Sequence, residues 1–206
     1  MVLAWPNIAQ ENYKPPVVAA AGDTYVSYQV VLDGLFVLDV SLDADGAVQE
    51  IDGLRDPGSM LGAAKASVRR WKFQPASKEG KPAPSRMTVC FLYRPPNYGN
   101  AAAVPPKQFS PVVPTEHDNY LPVGVLSFAY PAYPVSSVAW GSVVVQLTVD
   151  SSGEVKGVDF LHGTDVFNNF VSDALKQWRF QAATLNGKPI TSKTVIAFAF
   201  QPPAAK

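Results

Sequence analysis

The chain has 206 residues with 17 basic and 17 acidic side chains, so its formal net charge at pH 7 is zero and its pI is near 6.7. This balance argues against nucleic acids and acidic lipid surfaces as partners, because both are bound through basic patches. No apolar run approaches the roughly 20 residues of a membrane-spanning helix. Residues 1–10 lack the charged start and apolar stretch of an export signal. The sequence therefore leaves open a cytoplasmic protein and a protein whose leader or anchor is missing from it.

A tandem duplication organises the chain. Residues 12–96 and 119–203 align without a gap, with 23 identities in 85 positions. Most identical positions hold turn formers or large aromatic residues, so a fold was duplicated rather than a reactive site. We predict two repeats, 12–96 and 119–203, joined by a Pro-rich linker at 97–118 that has little to pack and does not force the repeats together.

Each repeat opens with a predicted hairpin. Alternating apolar and polar residues predict strands at 36–42, 48–54, 143–149 and 155–161. The turns at 43–46 and 150–153 start with aspartate and end with glycine, which suits a short hairpin with glycine at positive φ. The apolar parity slips in both second strands, which predicts a bulge in each.

A helix follows each hairpin. Apolar residues recur at helical spacing and predict one buried stripe per helix: Met60, Ala64, Val68 and Trp71 in repeat one, and Phe167, Val171, Leu175 and Trp178 in repeat two. The Trp-x-Phe pairs that follow suggest a stacking platform for sugars or bases. A tryptophan at the end of an amphipathic helix is more typical of a core, and we favour that interpretation.

A last strand, at 86–93 and 193–200, closes each repeat before a Pro-Pro pair. It is apolar on both faces, since Cys90 and Ala197 lie in the rows that do not face the helix. Such a strand is buried on both faces or awaits a partner. The outer row is covered by the other repeat, by the segment upstream of each first strand, or by another protein.

Residues suited to catalysis are few. His117 and His162 do not align with each other, and Cys90, the single cysteine, is predicted to be a small buried residue. Asp43 and Asp45 resemble the start of a calcium loop, but the later oxygen ligands are missing, so we predict turn residues. We expect no enzyme activity, no catalytic residue, no metal site and no cofactor.

An ordered set of motifs is found nearly twice, and together they resemble the C-terminal domain of the TonB family. The set is Tyr133–Pro134, Asp150 with Gly153, Trp178–Arg179–Phe180 and Asn186–Gly187–Lys188–Pro189 in repeat two, and Asp43 with Gly46, Trp71–Lys72–Phe73 and Gly80–Lys81–Pro82 in repeat one. Repeat one departs from it in having Val26–Ser27 in place of Tyr-Pro.

The resemblance implies a strand-strand-helix-strand domain in the periplasm that binds outer-membrane receptors by adding a receptor peptide to the edge of its sheet. The expected fold is α+β, each repeat a three-stranded antiparallel sheet with one helix packed on it. We expect a soluble double module for protein binding, related to TonB-dependent transport and without a membrane span, that pairs with a partner strand along its last strand. The predicted binding edge in repeat two is Lys193, Thr194, Val195, Ile196, Ala197, Phe198, Ala199 and Phe200.

Two further expectations concern that edge. Repeat two keeps Tyr133–Pro134 and small outer residues, so we predict that it presents the functional surface and that repeat one supports it. The alternative function is a structural scaffold whose two sheets pair within the chain or in a homodimer, which uses up the edges.

Overall fold

The structure, a computed structural model, describes residues 12–24, 33–56, 61–94, 109–133, 139–163 and 165–201. In these ranges sheet dominates and two helices are present, α1 (Leu61–Val68) and α2 (Asp165–Leu175), so the fold is α+β as predicted. Met60, Pro134, Val26–Ser27 and both Pro-Pro pairs lie outside the described residues.

Sixteen strands are described, and each strand of the first half has a counterpart in the second. The first eight are β1 (Tyr13–Lys14), β2 (Val17–Ala20), β3 (Gly34–Leu42), β4 (Val48–Arg55), β5 (Lys72–Gln74), β6 (Ala76–Lys78), β7 (Lys81–Ala83) and β8 (Ser85–Arg94). Their counterparts are β9 (Tyr120–Leu121), β10 (Gly124–Ser127), β11 (Gly141–Val149), β12 (Val155–His162), β13 (Arg179–Gln181), β14 (Ala183–Leu185), β15 (Lys188–Ile190) and β16 (Ser192–Phe200). The duplicated sequence therefore builds a duplicated set of elements.

The predicted hairpins are confirmed. Gly46 and Gly153 have φ of 82° and 86°, the left-handed region that glycine enters at little cost. A Cβ atom at either glycine would lie 2.4 Å from a backbone carbonyl oxygen, so no other residue fits. The pairings β3–β4 and β11–β12 each shift register twice, which places the predicted bulges in β4 and β12.

Both helical stripes are confirmed within the described residues. Ala64, Val68 and Trp71 are buried in one core cluster. The stripe from Phe167 to Trp178 is buried in the other. Each helix packs on its own repeat's long strands, and burying this apolar stripe is the main source of helix stability in a small unit.

One six-stranded sheet joins the two repeats, in the order β12-β11-β16-β8-β3-β4. The long strands within each repeat are antiparallel, as predicted. The expected arrangement of two separate three-stranded sheets is wrong, because β8 and β16 pair in parallel, with Val89 opposite Val195 and Arg94 opposite Phe200. Two strands that are apolar on both rows gain most by lying at the centre of a sheet covered on both faces.

The two helices cover opposite faces of this sheet. Cys90 and Leu92 of repeat one belong to the cluster that packs against α2. Val195, Ala197 and Ala199 of repeat two belong to the cluster that packs against α1. The outer row of each last strand is thus covered by the other repeat, which was one of the alternatives left open by the sequence.

Chain segments upstream of each first strand also cross to the other repeat. The Val18 N–H donates to Gln146 Oε1 at 2.8 Å, so β2 lies against repeat two. Reciprocally, Thr88 Oγ1 donates to the Val123 carbonyl at 2.6 Å. These buried bonds tie the repeats together on both faces of the sheet.

The linker packs more than expected. Phe109 and Val112 are partly buried against the α2-side core, and Val112 pairs with Val125 of β10. The expectation that the linker has little to pack is therefore wrong for its described part, residues 109–118. Val112 lies between two prolines, where an extended backbone presents it to the sheet, whereas the adjacent Val113 is exposed.

Candidate protein-binding surfaces

The predicted binding strand is not an edge. Lys193 to Phe200 pairs with β11 on one side, and Val195 to Phe200 pairs with β8 on the other. Apart from the half-buried Lys193, every residue of the predicted set is buried. The expectation of an open edge along this strand is therefore wrong, because the last strand of repeat one occupies the place that a partner strand would take.

The edges of the six-stranded sheet are β4 and β12, each paired on one side only in the described structure. Each carries two bulges, and bulges twist an edge and interrupt its row of free N–H and C=O groups. Between the bulges of β12 the regular stretch is the four residues from Gly157 to Phe160. Neither edge strand is thus well suited to pairing with a long strand of a partner protein.

The edges differ in chemistry. In β12, Val158 and Phe160 are 40% and 43% exposed. Their counterparts in β4 are Ile51, which is buried, and Gly53, where the Leu61 side chain occupies the space that a Cβ atom would take. Repeat two therefore presents an apolar edge and repeat one does not.

Cys90 lies at the parallel junction. It is fully buried, as predicted, and pairs directly with Ile196 of β16. Burial raises the pKa of its thiol far above the usual range, so the reactive thiolate is not formed. The residue therefore acts as a packing group at the seam between repeats.

A cleft of about 660 Å³ opens where the repeats meet the linker. Tyr13 and Tyr120, which are equivalent in the two repeats, lie side by side there with ring centroids 5.5 Å apart. Asp52, Arg86 and His117 also line the cleft. Burial raises the pKa of both tyrosines, so their hydroxyls stay protonated near neutral pH. In chemical terms the cleft offers hydroxyl and charged groups for polar recognition.

A buried ion pair borders this cleft. Asp39 is 1% exposed and pairs through Oδ2 with Arg86, while its Oδ1 has no hydrogen-bond partner among the described residues. Burial raises the pKa of Asp39 to about 6, with a smaller contribution from the nearby Asp52, even though Arg86 acts in the opposite direction. This pair was not predicted from the sequence. An aspartate in the middle of an apolar strand, where repeat two has Gln146, was the signal.

The other residues considered as sites have structural roles. Asp43 accepts hydrogen bonds from the N–H groups of Ala47 and Asp45 and from Gln49, which lower its pKa. It is a turn residue, as predicted. His162 Nε2 lies 2.7 Å from Asp23 Oδ1 at the surface. The described ranges contain no cluster of three or more His, Cys, Asp or Glu side chains arranged to bind a metal.

The architecture is that of a duplicated α+β module, and a comparison with family models agrees with the duplication. The model of the Gram-negative bacterial TonB protein C-terminal domain matches residues 29–95 and 127–202, more than half of the chain. The chain belongs to this family and contains the domain twice. Comparison with curated proteins and with solved structures gave no match. No helix in the described ranges has the length and apolarity needed to cross a membrane.

Proposed function

We propose that this protein is a protein-binding scaffold of the cell envelope, in which two TonB-type units are fused into one rigid sheet by their last strands. Its partner is a periplasm-facing segment of an outer-membrane receptor or another envelope protein. The binding surfaces are those that the fused sheet leaves exposed. In this function the partner does not add a strand along β16, because β16 is already paired on both sides.

The parallel pairing of β8 with β16 carries this proposal. Six residues of each strand pair in register, and the seam is covered by helix α1 on one face and α2 on the other. Opening the seam would expose both apolar rows and break the buried Thr194 Oγ1 to Thr88 carbonyl bond of 2.8 Å. Exposing several fully buried apolar side chains costs about 1.5 to 3 kcal/mol each, so the closed sheet is strongly favoured.

Repeat two is the proposed binding half. Its edge strand exposes Val158 and Phe160, whereas the matching positions of repeat one hold the buried Ile51 and a glycine, Gly53, which has no side chain to expose. Exposed apolar residues on a sheet edge mark interaction sites. This retains the expectation from the sequence that repeat two presents the functional surface, but moves that surface away from β16.

A disulfide across the seam tests the proposal. Ile196 pairs directly with Cys90 on the same face, so Ile196→Cys places two thiols on adjacent strands, within the range of Cα separations that disulfides span. Oxidation then locks the repeats together. Binding is measured with a panel of synthetic peptides covering the periplasm-facing segments of outer-membrane receptors from the source bacterium.

The scaffold predicts that the locked protein binds the same peptides as the reduced protein, within about twofold. Cys90→Ala combined with Ile196→Cys cannot form the bond and controls for the substitution itself. Loss of binding on oxidation, restored by a reductant, would show that partners enter along the last strand after all. A reduced protein that binds no receptor segment would remove the envelope-binding proposal.

A further inference from the structure

The described part of the linker lies in a groove formed by residues of both repeats. We call the surface formed by Arg55, Arg86, Gly124, Val125 and Phe128 the linker groove. Val112 and Val125 exchange two backbone hydrogen bonds there, each 2.8 Å long. Because β13 occupies the opposite side of β10, the linker adds a short strand to a small two-stranded sheet.

Side chains hold the linker on both sides of this pairing. The Phe109 ring contacts the Phe128 ring edge-on, with centroids 5.0 Å apart, and the Arg55 guanidinium lies 5.1 Å from the Phe109 centroid. Further along, Arg86 Nη1 donates to the Thr115 carbonyl at 2.8 Å. The groove therefore binds three features of the linker at fixed spacing. These are an aromatic side chain, the N–H and C=O groups of one residue, and a further backbone carbonyl.

Residues of both repeats form the groove. Arg55 and Arg86 come from β4 and β8 of repeat one, while Val125 and Phe128 come from repeat two. Arg86 is held in place by the buried Asp39. The site exists only because the repeats share one sheet.

Among the described residues, repeat one has no matching groove. A Cβ atom at Gly124 would lie 3.2 Å from a Val113 methyl group and 3.3 Å from the Val112 carbonyl oxygen, so glycine at this position lets the linker approach closely. The matching residue of repeat one is Val17, and Ala21 stands where repeat two has Phe128. The N–H of Val18, the counterpart of Val125, is already satisfied by Gln146. In the described part of the chain, the strand that pairs with the linker is thus β10 of repeat two, and its counterpart β2 has no such pairing.

We propose that the linker groove is a peptide-binding site, occupied in cis by residues 109–115, which a partner protein enters with an extended segment of the same chemistry. That segment has an aromatic residue followed by two apolar residues between prolines, as in the linker's own Phe-Ser-Pro-Val-Val-Pro. Two backbone hydrogen bonds and two arginine contacts make a modest interaction, which is the kind that an intramolecular segment at millimolar effective concentration can occupy and a partner can displace. The inference rests on the proposed protein-binding function and names a site for it.

Binding of the chain's own peptide in trans tests this inference. A fluorescent peptide of residues 107–116 is titrated into the full chain, into Val112→Pro and into Phe109→Ala, with anisotropy as the readout. Val112→Pro removes the N–H that bonds Val125, and Phe109→Ala removes the aromatic anchor without touching the backbone. Both variants weaken the cis occupant and leave the groove intact, so each binds the peptide about tenfold more tightly than the unaltered chain.

The matched controls distinguish specific peptide binding in the groove from a general loosening of the fold by the substitutions. A peptide with proline at the Val112 position does not bind any of the three proteins, and Arg55→Ala added to Phe109→Ala lowers affinity for the normal peptide. Equal affinity of the unaltered chain and Phe109→Ala overturns the proposal.

Hydrogen exchange on the unaltered chain gives a second measurement that needs no variant. Excess peptide speeds exchange at the Val112 amide and leaves the Val125 amide protected, because one strand replaces another. Unchanged exchange at Val112 at millimolar peptide overturns the proposal. Since the probe is the chain's own sequence, this outcome is independent of whether receptor segments bind.

Discussion

The buried Asp39 differs from its neutral counterpart in the other repeat. Gln146 accepts the Val18 N–H, while one oxygen of Asp39 has no partner among the described residues. A buried carboxylate that is half satisfied carries a large desolvation cost, even beside an arginine. The ion pair positions Arg86 against the linker at the expense of stability.

Because of this cost, we expect the free energy of unfolding to depend on pH. The folded pKa of Asp39, about 6, lies above its ordinary value, so the folded state favours the protonated carboxyl. The contribution of this group to stability is therefore fully present below about pH 4 and lost as the pH rises through about 6, a change on the order of 3 kcal/mol. Asp39→Asn cannot ionise, and we expect its unfolding free energy to be flatter over this range in urea titrations.

Asp52→Asn is the matched control, because Asp52 is exposed and only a neighbour of the pair. It should retain most of the fall in stability between pH 4 and pH 7. If Asp39→Asn shows the same fall as the unaltered protein, Asp39 is not the titrating group.

Glu79 occupies a turn position at which the residue of the other repeat, Asn186, is better suited to the backbone conformation. Glu79 and Asn186 have φ of 53° and 51° in equivalent turns, and each N–H donates to the carbonyl of Asn12 or Asn119. Asparagine adopts the left-handed region at lower cost than glutamate does. We expect Glu79→Asn to raise the free energy of unfolding by about 0.5 to 1 kcal/mol and Asn186→Glu to lower it by a similar amount. Chemical denaturation measures both, and shifts of the same sign would contradict this account.

At the scale of elements, the last strands show what a sequence can and cannot predict. The alternation of Met87, Val89 and Phe91 with Thr88 and Cys90 correctly predicted two apolar rows. It did not predict what covers the second row. The alternation along a strand indicates which residues are buried, but it does not indicate which element packs on them. A receptor strand and the other repeat satisfy the same pattern.

The two tryptophans that follow the helices form a matched pair for measuring core energetics. Trp71 stacks on Phe91, and Trp178 packs edge-on against Phe198, and both are buried as predicted. Truncation of either to alanine is expected to cost about 3 to 5 kcal/mol in equilibrium unfolding. A loss below about 1 kcal/mol would reopen the interpretation of a ligand platform.

Replacement of the same residues by phenylalanine separates packing from hydrogen bonding. Trp178 Nε1 donates to the Ala129 carbonyl at 3.1 Å, whereas Trp71 Nε1 has no hydrogen-bond partner among the described residues. Trp178→Phe should therefore destabilise by about 1 kcal/mol more than Trp71→Phe. Equal losses would show that the Ala129 bond contributes nothing measurable.

At the scale of the molecule, the repeats, their hairpins, helices and bulges could all be predicted from residues 12–96 and 119–203. The joining of two sheets into one could not. It depends on contacts such as Cys90 with Ile196 and Val18 with Gln146, which are more than 100 positions apart and leave no local pattern. The linker groove was missed for the same reason, since its residues come from three separate parts of the chain.

The central position of β16 also determines how the protein responds to mechanical load. A pull on residue 201 along the strand axis, with the rest of the sheet held, acts in shear on the ladders to β11 and β8 at once. Bonds loaded in shear must break together, whereas bonds at a peripheral strand can be peeled one after another. The parallel seam thus lets two ladders share a load applied at the end of β16.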